Sequence, residues 1–246
     1  MRYLILSDIH ANWEALGAVV ERASSHFDRI VCCGDLVGYG ADPDLVVGWV
    51  QENVHDIVRG NHDKACAGLE DLEWFNPLAR LSALWTQAVI QPDHAQYLRN
   101  LAQGPERING FQILHGSPLD EDEYVTSEQD VAQVAPYLDC SVTFFGHTHL
   151  QGAFLCHRNG VKRLVCAAPE SGEEEIALEN DVNYLINPGS VGQPRDGDCR
   201  AGYAIYEPEA RLVTLCRAAY DIASAQKKIL EAGLPELLAL RLQSGL

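Results

Sequence analysis

Positive charge is scarce in this chain. Its 246 residues carry 18 Lys+Arg against 35 Asp+Glu, a formal net charge of −17. A basic groove that follows a nucleic-acid backbone has little material here, because such affinity depends on Lys and Arg contacts to phosphate. The balance reads as a solvated acidic surface. It leaves room for a local positive site, since bound divalent cations reverse the sign inside a pocket. Long apolar runs are missing too. No window reaches the roughly 18 apolar residues that a membrane helix needs. The opening run Tyr3-Leu-Ile-Leu6 is too short for a signal peptide, and Asp8 ends it. The cytoplasm is therefore the expected location. The eight cysteines form no Cys-x-x-Cys pair, so ribbon-type zinc spacing is absent. Cys32 and Cys33 sit in one apolar run and Cys166 in another. Most read as small buried hydrophobes in a reducing compartment.

Apolar residues make up 47% of the chain and charged residues 22%, as in an ordinary folded domain. The length suits one α/β domain over residues 1–246 with a sizeable core. There is no internal repeat, low-complexity segment or interdomain linker. The run 3–6 predicts a buried strand. A helical pattern follows from Trp13 to Ala23, with Asn12 placed to cap it. Residues 29–33 predict a second strand, Pro43 opens a helix to Asn53, and 55–58 predict a third strand. This alternation favours a parallel sheet with right-handed crossovers. Residues 77–101 read as helical with a break at Pro92. Strands are expected at 111–114 and 142–145, and a helix within 127–138. Asp120–Glu123 reads as a solvated acidic loop. Short β-rich runs at 152–157, 162–167, 183–187, 202–206 and 211–216 predict antiparallel pairing and a second sheet. Residues 169–180, with three consecutive Glu, read as an exposed loop. Residues 219–244 predict two helices split at Gly233-Leu-Pro235.

Five predicted strands end in metal-capable residues. They are Asp8-Ile-His10, Gly34-Asp35, Gly60-Asn-His-Asp63, His115-Gly116 and Gly146-His-Thr-His149. In an α/β sheet, loops after the carboxyl ends of strands share one edge, so distant residues converge there. A spacing of two, as in Asp8/His10 and His147/His149, sends both side chains to the same side of a strand end. The glycines permit tight turns and close backbone approach. Imidazole suits Zn, Mn, Fe or Co, and carboxylates add charge compensation. A lone Asp or His at a strand end is commonly a cap or turn residue. Five such ends in one chain point instead to a metal site.

These motifs, in this order across residues 8–149, resemble the calcineurin-like metallophosphoesterases. Asn187-Pro-Gly-Ser190 further resembles the small bacterial and archaeal branch of YfcE-type phosphodiesterases. The resemblance implies a four-layer αββα sandwich, two divalent metal ions and phosphoester hydrolysis by a metal-bound hydroxide. Carried over by position, Asp8, His10, Asp35 and His149 hold one ion. Asp35, Asn61, His115 and His147 hold the other. His62 is the catalytic histidine beside the substrate phosphate, which Asn61 also meets. Asn187 and Ser190 shape a turn. Protein serine/threonine phosphatases of the superfamily carry an Asp and an Arg where this chain has Gly38 and Tyr39. That departure argues against a protein phosphatase. It removes a charged partner for His62, for which Asp63 is a candidate replacement. It also leaves Arg195 as a candidate for gripping phosphate, unless Asp196 or Asp198 pairs with it.

The expected substrate is a small-molecule phosphodiester. Phosphomonoester and dinucleoside polyphosphate hydrolysis are the alternatives within the enzyme reading. A catalytically silent scaffold or binding protein of the same fold is the non-enzyme alternative, and filled ligand positions argue against it. A nuclease would need the basic groove that the composition lacks. Oligomeric state is not legible in the residues.

Overall fold

The computed structural model describes residues 1–164 and 170–246, apart from the side chain of Trp74. Strand β1 (Tyr3–Leu6) is buried along its whole length. Its side chains alternate, as the period of two requires. Tyr3 and Ile5 face one apolar cluster, and Leu4 and Leu6 face another. Helix α1 (Trp13–Ala23) follows, with Asn12 Oδ1 accepting the Ala15 N–H at 3.1 Å. Ala15, Leu16, Val19 and Ala23 form its buried stripe. Then come β2 (Arg29–Cys32), α2 (Pro43–Asn53), β3 (Asp56–Ile57), α3 (Asn61–Cys66), α4 (Pro77–Val89) and α5 (Pro92–Asn100). Pro at the first position of α2, α4 and α5 fits the helix start, where its missing N–H has no partner to lose.

The middle of the chain forms β4 (Glu106–Ile108), β5 (Phe111–Ile113), α6 (Glu128–Val134) and β6 (Val142–Phe144). The remainder forms β7 (Gly152–His157), β8 (Gly160–Leu164), β9 (Glu173–Ala177), β10 (Asn183–Asn187), β11 (Ala201–Glu207) and β12 (Leu212–Ala218). Helices α7 (Ile222–Glu231) and α8 (Glu236–Ser244) close it.

The strands make two six-stranded sheets, ordered β3-β2-β1-β11-β12-β9 and β4-β5-β6-β10-β7-β8. Tyr3, Ile5, Val31, Ala204 and Leu215 from one meet Phe111, Phe144, Tyr184 and Ile186 from the other in a shared core. Outside the first sheet, Leu4, Cys32 and Tyr203 pack with Leu16, Val47 and Leu98 of the helices. Outside the second, Phe154 and Leu185 pack with Val131 and Val134 of α6. Helix, sheet, sheet and helix are thus stacked as the four-layer αββα sandwich requires. Among the described residues, no helix is long and apolar enough to cross a membrane.

Several expectations need correction. The later strands do not form a sheet of their own. Strands β9, β11 and β12 extend the first sheet, while β7, β8 and β10 extend the second. Strand β10 pairs with β6 in parallel. The three glutamates expected in a loop lie on edge strand β9, where charge blunts an open edge. Strand β4 went unread because it is three residues long, with Glu and Arg at two of them. The motif Gly60–Asp63 also opens a helix, since Asn61 begins α3. The acidic loop Asp120–Glu123 is not simply solvated. Glu121 is buried, with Arg59 and Lys64 bound to its carboxylate. The end of the expected strand 162–167, including Cys166, lies outside the described residues.

Candidate metal centre

The carboxyl ends of parallel strands β1, β2, β3, β5 and β6 carry the seven candidate ligands to one edge. The backbone there is bent in an uncommon way. Asp8, His10, Asp35, His147 and His149 all have positive φ, between 49° and 67°. Outside glycine this conformation costs about 1–3 kcal/mol per residue and persists only where the surroundings hold it. They do so here by hydrogen bonds. Asp8 N–H donates to Gly34 O at 2.9 Å, and His10 N–H to Asp35 O at 3.0 Å. His147 N–H donates to Asp8 Oδ1 at 3.0 Å. The buried Asp63 carboxylate accepts the N–H groups of Asp35, Leu36, Val37 and Gly60 at 2.8–3.3 Å. Asp63 therefore fixes the backbone around Asp35, and the expectation that it partners His62 is replaced.

Among the described residues, donor atoms of Asp8, His10, Asp35 and His149 lie within 4.8 Å of one another, and so do those of Asp35, His115 and His147. Asp35 belongs to both groups. Its Oδ2 lies 3.6 Å from His10 Nε2 and 3.3 Å from His115 Nε2. Asn61 Oδ1 is 3.2 Å from His115 Nε2, which places it with the second group. All these side chains are buried except Asn61, which is partly exposed.

The imidazoles are oriented by the backbone. His10 Nδ1 donates to Val37 O at 3.0 Å, and His149 Nδ1 to Gln193 O at 2.6 Å. His115 Nδ1 donates to Cys33 O at 2.8 Å, and His147 Nε2 to Asp122 O at 3.1 Å. Each ring thus spends one nitrogen on a carbonyl and turns the other inward, the arrangement that outer partners impose on metal-binding histidines. The inward atoms crowd together. His10 Nε2 and His149 Nε2 are 3.1 Å apart, and His147 Nδ1 and His115 Nε2 are 3.2 Å apart.

Electrostatics points the same way. Burial holds His10 and His149 well below the usual histidine range, and takes His147 down to about 3. Those rings are neutral at pH 7, so their inward nitrogens present lone pairs. Burial also lowers His115, but the Asp35 charge outweighs it and raises His115 to about 10. Facing lone pairs beside two buried carboxylates need cations between them. The residues therefore fit divalent transition-metal ions.

His62 is buried beside this cluster. Its N–H donates to Asp35 Oδ1 at 2.8 Å. Its ring lies among His10, Tyr39 and Phe75, with centroids at 4.9, 4.4 and 5.5 Å. Nδ1 is buried without a hydrogen-bond partner among the described residues. Gly38 packs against it: a Cβ there would collide with Nδ1, and the Gly38 φ is +85°. The neutral ring therefore carries its hydrogen on Nε2, because a buried N–H without an acceptor is costly. Burial lowers its pKa to about 4.

Arg195 Nη2 donates to Tyr39 Oη at 3.3 Å and to Gln193 Oε1 at 3.1 Å. Neither neighbouring Asp pairs with it. Asp196 binds Arg217, and Asp198 binds Arg200. The Arg195 Nε is buried without a partner among the described residues. Asn187 and Ser190 shape the adjoining turn. Asn187 Nδ2 donates to Gly146 O, and Ser190 Oγ donates to Asp8 O.

A cavity of about 380 Å³ opens beside Asn61, His62 and His147. Tyr39, Phe75 and Tyr124 give it aromatic walls. Phe75, Tyr124 and the carbonyls of Asp122 and Gln193 lie outside the motifs that the sequence displays. None stands in a metal motif, and a carbonyl leaves no mark in residue identity.

The family profile described as the calcineurin-like phosphoesterase superfamily domain matches residues 1–211. An uncharacterized protein of Methanocaldococcus jannaschii is 36% identical over 98% of this chain and 97% of its own. The crystal structure of a metallophosphoesterase from Sphaerobacter thermophilus superposes with a TM-score of 0.86 at 40% identity, covering 100% of this chain and 99% of that one. The phosphoesterase Yfce from E. coli aligns at 19% identity and a TM-score of 0.45, over 84% and 88% of the two chains. By its matched profile and its full-length relatives, this chain belongs to the calcineurin-like phosphoesterase superfamily.

Proposed function

We propose that this chain hydrolyses a small-molecule phosphodiester at a two-metal centre. Asp8, His10, Asp35 and His149 would hold one ion, and Asp35, Asn61, His115 and His147 the other. The observation that carries this reading is the double membership of Asp35, whose Oδ2 stands within 3.6 Å of a ring nitrogen from each group. A pair of bound divalent ions supplies charge neutralisation for the phosphoryl oxygens and makes water a competent nucleophile near neutral pH.

The remaining roles belong to the chain's own side chains. His62, neutral and with its hydrogen on Nε2, donates a hydrogen bond to a phosphoryl oxygen, where charge builds in the transition state. Asn61 has a side-chain N–H left to meet the same group. Arg195 approaches from behind Tyr39 and offers a guanidinium that no described carboxylate occupies. The cavity itself is lined by no Lys or Arg among the described residues. That lining suits a singly charged diester better than a dianionic monoester or a polyphosphate.

The test is metal analysis of the purified protein, followed by rates on bis(p-nitrophenyl) phosphate and p-nitrophenyl phosphate. Two ions per chain and a faster diester rate are expected. A metal-loaded protein inert on both esters, on cyclic nucleotides and on dinucleoside polyphosphates would leave the silent-scaffold reading standing.

A further inference from the structure

Lys64 follows three residues that already serve the site. Asn61 stands with the second group of donors, the His62 ring lies beside His10, and the Asp63 carboxylate fixes the backbone around Asp35. The Lys64 side chain is 12% exposed and reaches the loop that follows His115. Its Nζ donates to Asp122 Oδ2 at 2.7 Å and to Glu121 Oε1 at 3.1 Å, and lies 3.3 Å from Glu70 Oε2.

The same loop touches a candidate ligand. His147 Nε2 donates to the Asp122 carbonyl at 3.1 Å, which leaves Nδ1 facing His115 Nε2 at 3.2 Å. The other three rings are aimed by carbonyls of buried residues: Val37 for His10, Cys33 for His115 and Gln193 for His149. Asp122 alone of these four is exposed, with its side chain at 40%. A carbonyl on an exposed loop needs a tie, and Lys64 supplies it. Without the ammonium, Glu70, Glu121 and Asp122 would share only Arg59 among the described residues, and Arg59 already spends two hydrogen bonds on Glu121. Three carboxylates beside one cation repel each other. Asp122 is the most exposed of the three. It relieves the repulsion by swinging into water, and its carbonyl then leaves His147.

We propose that Lys64 is a positioning residue for His147. By holding Asp122 it keeps in place the carbonyl that aims the His147 ring, and so sets how tightly the group of Asn61, His115 and His147 takes its ion. The proposal rests on the two-metal reading above and deepens it, since the affinity for one ion then depends on a lysine outside the ligand set. An ion pair that only stabilised the fold would act on both groups alike. A residue that aims His147 acts on one.

The experiment titrates zinc into the full chain with isotope-labelled histidines and follows the ring signals by NMR. The His10 and His149 signals report the first group, and the His115 and His147 signals the second. In Lys64→Met, zinc affinity at the second group is expected to fall about tenfold or more, the size seen when an outer partner of a metal ligand is lost, while the first group stays within about threefold of wild type. Lys64→Arg keeps a cation and should restore most of the loss. Adding Asp122→Asn to Lys64→Met removes one repelling charge and should recover part of it. In the metal-free chain, the His147 Nε2 hydrogen should exchange with water about tenfold faster in Lys64→Met than in wild type, because the loop over it opens more often. Equal losses at both groups, no loss at either, or an unchanged exchange rate would overturn the proposal. A wild type whose His115 and His147 signals ignore zinc would count against the two-metal reading, and the exchange rate would still decide the role of Lys64. If Lys64→Met does not fold, Lys64→Gln is read by the same two measurements.

Discussion

Asp35 and His62 are joined directly: Asp35 Oδ1 accepts the His62 backbone N–H at 2.8 Å, while its Oδ2 faces the other candidate ligands. One carboxylate thus ties the proposed metal bridge to the histidine proposed to meet the substrate. Asp35→Asn keeps an oxygen for the His62 N–H and removes the charge. We expect metal content to fall at both sites and kcat/KM to drop on the order of 10²–10³-fold, the size seen when one preorganised electrostatic partner is removed. Metal analysis alongside kinetics checks this. A variant with two ions and full rate would refute the bridging role.

Loading the centre should release a proton. Metal-free His115 is held protonated by Asp35, with its pKa raised to about 10 despite the opposing effect of burial. As a ligand it must be neutral. Below that pKa, each unit rise in pH should therefore strengthen apparent metal affinity by about tenfold. Calorimetric titration with Mn or Zn in buffers of different ionisation enthalpy measures the proton count. Absence of released protons at pH 7 would contradict the assignment of His115 as a ligand that changes protonation.

The Glu121 clamp should matter for stability and for acid tolerance. Arg59 donates two hydrogen bonds to its carboxylate at 2.8 and 2.9 Å, and Lys64 donates a third at 3.1 Å. Burial alone would raise its pKa, but these bonds outweigh burial and hold it below its ordinary value of 4.5. A carboxylate lower in the folded than in the unfolded state stabilises the fold above about pH 4.5. That contribution is lost as pH falls through the folded value. Glu121→Gln should cost about 1–3 kcal/mol in urea unfolding at pH 7. The difference from wild type should shrink as pH falls below 4.5 and through the lowered folded value. A constant difference across pH would remove the charge from the explanation.

Arg195 should act on substrate rather than on the fold. Its Nη2 contacts are the neutral Tyr39 hydroxyl and Gln193 amide oxygen. Replacement by Met keeps the length of the side chain and removes the fork that can hold two phosphate oxygens. KM should rise about tenfold or more, with metal content and melting temperature close to wild type. Unchanged KM would return Arg195 to a packing role over the Tyr39 ring.

What the sequence revealed follows from which signals are local. Asp8, Asp35, Asn61, His115 and His147 were legible because each ends an apolar run, and strand ends are where a sheet delivers chemistry. Helix α1 was legible through its Asn12 cap and buried stripe. The assignment of β7 to β12 between two sheets was not, because strand partners are chosen by packing across the whole chain. Nor was the service of Asp63 to four backbone N–H groups, since an Asp in a turn looks the same whatever it accepts. Tyr124 and Phe75 gave no signal, because an aromatic that lines a cavity and one that fills a core share one residue type.

His62 decides between two chemistries. A general acid must carry a proton it can give up near the working pH. The buried ring has its pKa pushed down to about 4 and is neutral at pH 7. Its Nδ1 faces Gly38 without a partner among the described residues, so Nε2 carries the hydrogen. Such a ring can donate a hydrogen bond to a phosphoryl oxygen, but parting with its last proton is far harder. The two roles separate by leaving group. A general acid matters most when an alkoxide leaves and little when p-nitrophenolate leaves. Stabilisation of a phosphoryl oxygen matters for both. His62→Ala should therefore lower kcat/KM by about 10²-fold on methyl p-nitrophenyl phosphate and on a dialkyl phosphodiester alike. Metal content should stay at the wild-type value, since the ring is not among the candidate ligands. His62→Gln, which restores an N–H donor but cannot act as an acid at neutral pH, should recover part of the loss on both esters. A loss at least tenfold greater on the dialkyl ester, with no recovery in His62→Gln, would assign the histidine to proton transfer instead.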